Sequence, residues 1–480
     1  MSNCLARLDS SKHEILKKTV GILQFGDGNF LRGHIDWIVY SLNLKRNLGV
    51  GIAVISPLRQ GGKPSKLIQQ DGLYTLYTKG ICEGKTIDEQ CIVDVLQDFV
   101  DPYLEYDKFL EYAKSEQIHT IVSNTTEAGI VFSASDTNWQ VCPLTYPGKL
   151  LAFLHARYTH LGDRGGLNIV PCELIDHNGD TLRKVLLQLC SAKGLDQKFE
   201  KWLNERNNFV NNLVDRIVPG FPKECFELDV KNGYVDSCAV VAEPFSLWVL
   251  QKTGELESKL PLHDIGCNVH FVDDIKPYKE MKVKLLNGSH TAMCLVGYLY
   301  GLETVKDCMD DQVVCKFVSQ LIEHEILQTI DLPTDQKVTF ANSVLERFKN
   351  PYIRHELMSI SLNSTTKFST RLLPTIVEYM RVNSELPQRL CFVLACLIQF
   401  YKGKRGDQDI DLKDEAEYLS QYKSTSLAFK NDLQACTQKH LSWLSEIWGF
   451  DLSGLCSTVC DYLVDFEKIG VKGALKKIVD

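Results

Sequence analysis

What most limits the fold of this chain is a change of period about half-way along it. In the first half, short β-branched runs alternate with amphipathic stretches. TVGILQF (Thr19–Phe25), GVGIAVIS (Gly49–Ser56), IHTIVSN (Ile118–Asn124) and LNIVPCEL (Leu167–Leu174) are interleaved with pieces such as YLEYDKFLEYAKSE (Tyr103–Glu116) and GKLLAFLHARY (Gly148–Tyr158). Such runs read as buried parallel strands, and their alternation with helices predicts a doubly wound α/β sheet. From about His290 onward strands are scarce and helical periodicity dominates, as in TAMCLVGYLYGLE, DDQVVCKFVSQLIEHEIL and RLLPTIVEYMRV. LPQRLCFVLACLIQFYKG is apolar nearly all round, which suits the centre of a helical bundle. The pattern turns over within Leu260–Met281, so two domains are expected: an α/β domain over 1–270 and a mostly α-helical one over 271–480. A chain of 480 residues is in any case too long for one ordinary core.

Charge and cysteine usage remove several classes of function. A net charge of −8 argues against nucleic-acid binding, and it means that an anionic substrate needs a local basic pocket. The 17 cysteines include no CxxC pair, so they read as reduced core residues. Cys456 and Cys460 share a helical face without a histidine close in sequence, and core packing is expected there. No metal centre is expected. The start, MSNCLARLDSSKHEILKK, has no apolar run suited to a signal peptide, and Leu390–Tyr401 is too short to cross a bilayer. A cytoplasmic protein with no membrane partner follows as the expectation, as a monomer or a small homo-oligomer.

Gly26 and Gly28 in GILQFGDGNFLRGHIDW stand between the first strand and a helix-like run. Glycines at that junction let backbone amides approach a pyrophosphate, which a helix N-terminus then stabilises. The spacing is GxGxF, with the next glycine only at Gly33, so the motif alone is weak. The second strand ends VISPLRQGG, with Ser56 and Arg59 and no carboxylate to hold a ribose, which leaves both NAD and NADP open. An S-adenosylmethionine-dependent methyltransferase begins in the same way, and so does a non-catalytic NAD-binding protein.

KVKLLNGSHTAM (Lys282–Met293) argues against methyl transfer, because it gathers groups suited to handling a carbinol. Projected on an ideal helix, Lys282, His290 and Asn287 fall at about 0°, 80° and 140°, on one side. Asn287-Gly288 favours a bend, with the helix starting nearer His290. Oxidising an alcohol needs a base for the hydroxyl proton and a donor for the developing oxyanion. A lysine serves as that base near neutral pH when burial or a neighbouring cation, such as Lys284, lowers its pKa from about 10.4 to about 7–8. Spacing alone leaves open a basic turn capped by asparagine, with His290 in the core. Tyr278 and Lys282 also match a Tyr-x-x-x-Lys pair, a match of chance in a chain this long.

Lys282, Asn287 and His290 reproduce the Lys-x4-Asn-x2-His arrangement of the polyol-specific long-chain dehydrogenases, a family that includes mannitol dehydrogenase, fructuronate reductase and tagaturonate reductase. The resemblance covers nearly the whole chain. QDGLYTLYTKG, SNTTEAGI, PCELIDHNGD, LVDRIVPG, RFKNPYIRHELMSISLN and TKFSTRLLPT are similar to the tagaturonate branch in particular. It implies a Rossmann-type first domain, a helical second domain, no catalytic metal, and NAD-dependent interconversion of D-tagaturonate and D-altronate in galacturonate breakdown. Fructuronate and mannitol are the alternative substrates within the family. By position, the resemblance makes Lys282 the acid/base, Asn287 the oxyanion donor and His290 a substrate ligand. It places Gly26, Asp27, Gly28, Asn29 and Phe30 in the pyrophosphate turn, Ser123, Asn124 and Glu127 on the nicotinamide side, and Asp215 near the substrate hydroxyls. From the residues alone Asp215 and Arg216 read equally as a surface ion pair. The sequence departs from mannitol dehydrogenases at Leu174, where those enzymes carry a second oxyanion-binding asparagine.

A sugar acid adds a carboxylate, so a cation is expected that a polyol enzyme does without. Lys367 and Arg371, four apart on one helical face, are the candidates, with Arg347 and Arg354 second. A solvated helix face is the plain alternative.

Overall fold

In the computed structural model, which describes residues 5–429 and 431–480, the buried runs of the first half form one six-stranded sheet. Its strands are β1 (Thr19–Phe25), β2 (Val50–Ile55), β3 (Leu96–Val100), β4 (Thr120–Ser123), β5 (Asn168–Pro171) and β6 (Asn208–Phe209). They lie in the order β3-β2-β1-β4-β5-β6, every neighbouring pair parallel. This is the doubly wound arrangement that the alternating pattern predicts. β3 and β6 are additions to it. LQDFV carries Gln97 and Asp98, both only partly buried, on an edge strand, and β6 is two residues long, so neither shows the apolar run of a central strand.

The order reverses at β1, which has β2 on one side and β4 on the other. Phe25 is level with Ile55 and with Ser123, and Ser123 with Pro171, so the four central strands end along one line. Sheets of this kind bind ligands beyond the carboxyl ends of the strands at the reversal. Successive β1 side chains enter opposite layers. Ile22 joins Ile35, Ile38 and Leu42 from the helix that follows, α1 (Trp37–Arg46) and the turn before it, whereas Leu23 and Phe25 join Leu150 and Leu154 of α2 (Tyr146–Leu161) and Leu186 of α3 (Asn178–Lys193). α2 is fixed at its start by the Thr145 hydroxyl, which accepts from the Gly148 amide at 3.1 Å, with Pro147 in the first turn.

The chain divides into two units, one of residues 1–80 and 86–275, the other of 81–85 and 276–480. Residues 81–85 are a hairpin tip that counts with the second unit, in which the Glu83 and Gly84 amides donate to the Glu346 carboxylate at 3.0 and 2.7 Å. The second unit is helical. Its main elements include α4 (Ser289–Tyr300), α5 (Thr334–Phe348), α6 (Ser364–Arg371), α7 (Gln388–Phe400) and α8 (Cys456–Val479). α7 is buried from Leu390 to Ile398 and packs against α4 and α8, the central place its all-round apolarity predicts. Among the described residues no helix is long and apolar enough to cross a membrane.

The bend expected at Asn287-Gly288 is not there. A helix runs from Lys276 to Lys282, widens into a π turn over Val283–Gly288 and continues directly into α4, with Gly288 in ordinary helical geometry at φ −66°. Gly288 serves close approach instead. A Cβ there would stand 3.2 Å from the Arg371 carbonyl oxygen and 3.4 Å from Leu372 Cδ1's partner methyl, Cδ2. Gly288→Val is expected to lower stability by about 1–3 kcal/mol through overpacking, measured as a shift of the denaturant midpoint.

Candidate active site

In the first unit the glycine turn closes β1. Gly26 has φ +114°, which L side chains rarely adopt, and a Cβ on it would meet Leu31 Cδ1 at 3.2 Å. At Gly28 the space a Cβ would take is open, and the helix begins at Asn29. Main-chain amides at a helix start, with no side chain in front of them, fit a dinucleotide pyrophosphate. Arg32 holds the turn in shape: its Nε donates to the Asp27 carbonyl at 3.0 Å and its Nη2 to Asn29 Oδ1 at 2.9 Å. Phe30 lies against the His34 ring, with centroids 5.2 Å apart. Gly33 supplies the close packing that the motif's spacing seemed to lack, since a Cβ there would strike Val218 Cγ1 at 2.6 Å. At the end of β2, Ser56 Oγ donates to the Gly62 carbonyl at 2.7 Å, and Arg59 is exposed on the loop.

Beyond β4 the loop is held by a buried carboxylate. Glu173 accepts from Ser123 Oγ at 3.0 Å and from both the amide and the hydroxyl of Thr125 at 2.8 Å. Burial pushes its carboxyl above the ordinary range, and the Thr125 bonds work against that rise. Asn124 Nδ2 donates to the Cys172 carbonyl at 2.7 Å. Glu127 opens a short 3-10 turn, and its side chain lies outside the described residues. Leu174 is 60% exposed and offers no side-chain donor.

Asp215 and Arg216 are not a surface ion pair. Both are buried; Asp215 ends a strand opposite Leu247, and Arg216 donates to the carbonyls of Glu243 at 2.9 Å and Gly33 at 2.7 Å while lying 4.1 Å over the Trp37 ring. Burial lowers the Arg216 guanidinium to about 10. The apolar residues on either side of this pair put both in the interior.

In the second unit Lys282, Asn287 and His290 come to one face of a single helix. The ideal projection spreads them because it assumes α winding throughout. In the i→i+5 winding of Val283–Gly288, Asn287 stands about one turn above Lys282, and α winding then places His290 three residues further on the same side. Lys282 and Asn287 are half-buried. Lys284 points elsewhere, buried with its Nζ donating to the Thr329 carbonyl at 2.6 Å.

His290 is the most constrained of the three. Its ring stacks on Phe348 with centroids 5.0 Å apart and meets His355 edge-on at 4.6 Å. Its Nε2 is sealed from solvent and has no hydrogen-bond partner among the described residues. Burial holds the imidazole well below its ordinary pKa, and the neighbours that add to the effect are His355 and the cations Arg347, Arg371 and Lys367. Arg371 Nη1 lies 3.3 Å from Thr291 Oγ1, and Lys367 Nζ donates to the Ile360 carbonyl at 2.7 Å. Arg354 instead pairs with Glu356 at 2.6 Å on the surface. His355 and Phe348 fall within RFKNPYIRHELMSISLN but carry no role in the sequence reading. No spacing rule connects them to His290, 58 or more residues away. Among the described residues no three His, Cys, Asp or Glu side chains are grouped to hold a metal ion.

Comparison with known proteins accounts for both units. Residues 20–264 match the family model of the mannitol dehydrogenase Rossmann domain, and residues 274–454 that of the mannitol dehydrogenase C-terminal domain. The chain belongs to the mannitol dehydrogenase family. It is an oxidoreductase, which removes the methyltransferase reading. It is 40% identical to an altronate oxidoreductase of Enterobacter sp. (strain 638) over 468 residues, 95% of this chain and 96% of the relative. It is 41% identical to an altronate oxidoreductase of Yersinia enterocolitica over 464 residues, with 95% and 96% covered. Its fold resembles a substrate-free D-sorbitol dehydrogenase (22% identity, TM-score 0.84, 98% and 100% covered) and a Pseudomonas fluorescens mannitol 2-dehydrogenase in ternary complex with NAD and D-mannitol (24%, TM-score 0.68, 96% and 94% covered).

The geometry around His290 makes a pH prediction. Because its folded-state pKa lies below the roughly 6.5 of an unfolded histidine, its contribution to stability is complete above that pH and is lost as pH falls through it. Long-range proton–nitrogen spectra of histidine-labelled protein at about pH 6 should show the ring neutral. A doubly protonated ring under those conditions would contradict the buried arrangement.

Proposed function

We propose that the chain interconverts D-tagaturonate and D-altronate with NAD(H), a step of hexuronate breakdown. The observation that carries this reading is the set of three cations, Arg347, Lys367 and Arg371, around a neutral histidine in a protein of net charge −8. A polyol gives no reason to gather them; a sugar acid does, because its carboxylate needs a basic pocket against the background field. The identity of 40–41% to altronate oxidoreductases over 95% of the chain supports the same substrate class.

In this reading the turn from Gly26 to Phe30 holds the cofactor's pyrophosphate, and Ser123, Asn124 and Glu127 shape its nicotinamide side. Bound NAD(H) supplies hydride acceptance or donation. Lys282 takes the proton of the carbinol during oxidation and returns it to the carbonyl oxygen during reduction. Asn287, one π turn above it, donates a hydrogen bond to that oxygen as charge develops. His290, kept neutral, orients the substrate, and Asp215 reads a further hydroxyl. Arg371 and Lys367 take the carboxylate; a charge-assisted bond of this kind is worth roughly 1.5–3 kcal/mol. Asn287 works without a partner at position 174.

A spectrophotometric screen of NADH and NADPH oxidation with tagaturonate, fructuronate and fructose tests the assignment. Tagaturonate with NADH should turn over fastest, and preference for fructuronate would move the protein to a neighbouring activity. Lys282→Ala is expected to abolish turnover while NADH binding, followed by fluorescence, is retained; unchanged turnover would end the acid/base role. Arg371→Ala should raise KM for the uronate roughly tenfold or more, the equivalent of one charge-assisted bond, and leave a neutral ketose nearly unaffected. Equal losses on both substrates would remove Arg371 from the carboxylate.

A further inference from the structure

We propose that Asp36 is a positioning residue of the Gly26–Gly28 turn and works there as the neutral, protonated acid; this rests on the reading that the turn holds the pyrophosphate of NAD(H). Asp36 ends the π turn Leu31–Asp36 that follows the glycines, and it is fully buried. Gln24, equally buried on β1, donates from Nε2 to the Gly26 carbonyl at 3.2 Å and is a hydrogen-bond neighbour of Asp36. Yet Gln24 Oε1 and Asp36 Oδ1 are both sealed from solvent without a hydrogen-bond partner among the described residues.

On the other side of the carboxyl stands Tyr74. Its hydroxyl lies 2.9 Å from the Arg32 carbonyl and 3.3 Å from Asp36 Oδ2. A hydroxyl has one proton, and the shorter contact is to the Arg32 carbonyl. The tyrosine oxygen is then left to accept from Asp36 rather than donate to it. An ionised Asp36 would be a buried acceptor short of donors, whereas a protonated one supplies the donor that this cluster lacks. Burial pushes the acid up to about 7 in spite of its hydrogen-bond neighbours Gln24 and Tyr74 and of Arg32.

Two lines of contact lead from this carboxyl to the turn. Gln24 carries one to the Gly26 carbonyl. Tyr74 and Arg32 carry the other to Asp27 and Asn29, the groups that the Arg32 side chain holds. Charge on Asp36 would remove the donor to the Tyr74 oxygen in the second and place a like charge behind a pyrophosphate. Cofactor binding and protonation of Asp36 therefore favour each other, and the linkage is reciprocal. The charged and titratable groups that face Asp36 are Arg32 and Asp27 from its own segment and Tyr74 from the strand Tyr74–Cys82. Cys91 and Arg216 act on Tyr74 from behind, and His34 is buried two residues before Asp36.

The test is NADH titration of the full chain, followed by fluorescence from about pH 6 to about pH 8.5, on wild type, Asp36→Asn and Asp36→Ala. Wild-type affinity should weaken roughly three- to tenfold across that range, as expected for one like charge appearing in partly screened surroundings. Asp36→Asn, which copies the neutral acid, should keep the low-pH affinity with no slope, and Asp36→Ala should bind weakly at every pH. Thermal unfolding without cofactor gives a second readout. A folded-state value of about 7 against roughly 3.9 unfolded means that wild type loses stability relative to Asp36→Asn between about pH 4 and about pH 7, and by a constant amount above. The proposal is overturned if Asp36→Asn keeps the wild-type slope, binds as poorly as Asp36→Ala, fails to fold, or shows an unfolding gap that does not vary with pH. Should wild type bind no NADH at any pH, the cofactor reading falls and the proposal with it. The unfolding gap distinguishes that failure from an ionised Asp36.

Discussion

The alignment of Lys282, Asn287 and His290 depends on one turn of helix wound too wide. Between Lys282 and Ser289 the backbone follows an i→i+5 ladder, and this brings Asn287 over Lys282 instead of round the side of the helix. A π turn is less well packed along its axis than an α turn, so something outside the helix has to favour it. At Gly288 the bare backbone lies close to the Arg371 carbonyl and to Leu372. That contact fixes the end of α6, and with it Arg371 and Lys367, near the face that carries His290. One local departure from regular winding thus aligns Lys282, Asn287 and His290 and brings the cations near them.

Electrostatics around the two sets of residues follow opposite designs. Around His290 the protein gathers positive charge about an imidazole that burial keeps neutral. In the first unit buried charges of both signs are held by fixed hydrogen bonds. Glu173 takes three hydrogen bonds from Ser123 and Thr125, which ties the loop after β4 to the start of the next segment. Arg216 is likewise a buried cation committed to carbonyls rather than to a carboxylate. These groups stiffen the turns at the strand ends.

How much of this was legible in the chain differs by element. The central strands β1, β2, β4 and β5 show as apolar runs because both of their faces are covered. β3 does not, because an edge strand keeps Gln97 and Asp98 among its apolar residues. The glycine turn was visible as a motif, but Arg32, which holds Asp27 and Asn29, and Gln24, which holds Gly26, needed coordinates. Asp215-Arg216 looks like a surface pair when two adjacent charges are read alone. Val214 and Ile217 on either side were the hint of an interior strand. Arg347 and Arg354 looked equivalent around Asn350-Pro351, and only their burial separates them: one faces His290, the other pairs with Glu356 in solvent.

The sequence by itself determined the two architectures, the strand–glycine–helix order and the types of residue available for the chemistry. Those follow from period, from backbone freedom and from side-chain identity, which are local properties. The shared side of Lys282, Asn287 and His290 was legible in the spacing. Only the tertiary structure decided that a widened turn, and not a bend, brings Asn287 over Lys282, beside a neighbour more than 80 residues away. It alone decided which cations surround His290 and which acids are buried, because desolvation depends on what covers a group, and the covering residues come from distant parts of the chain.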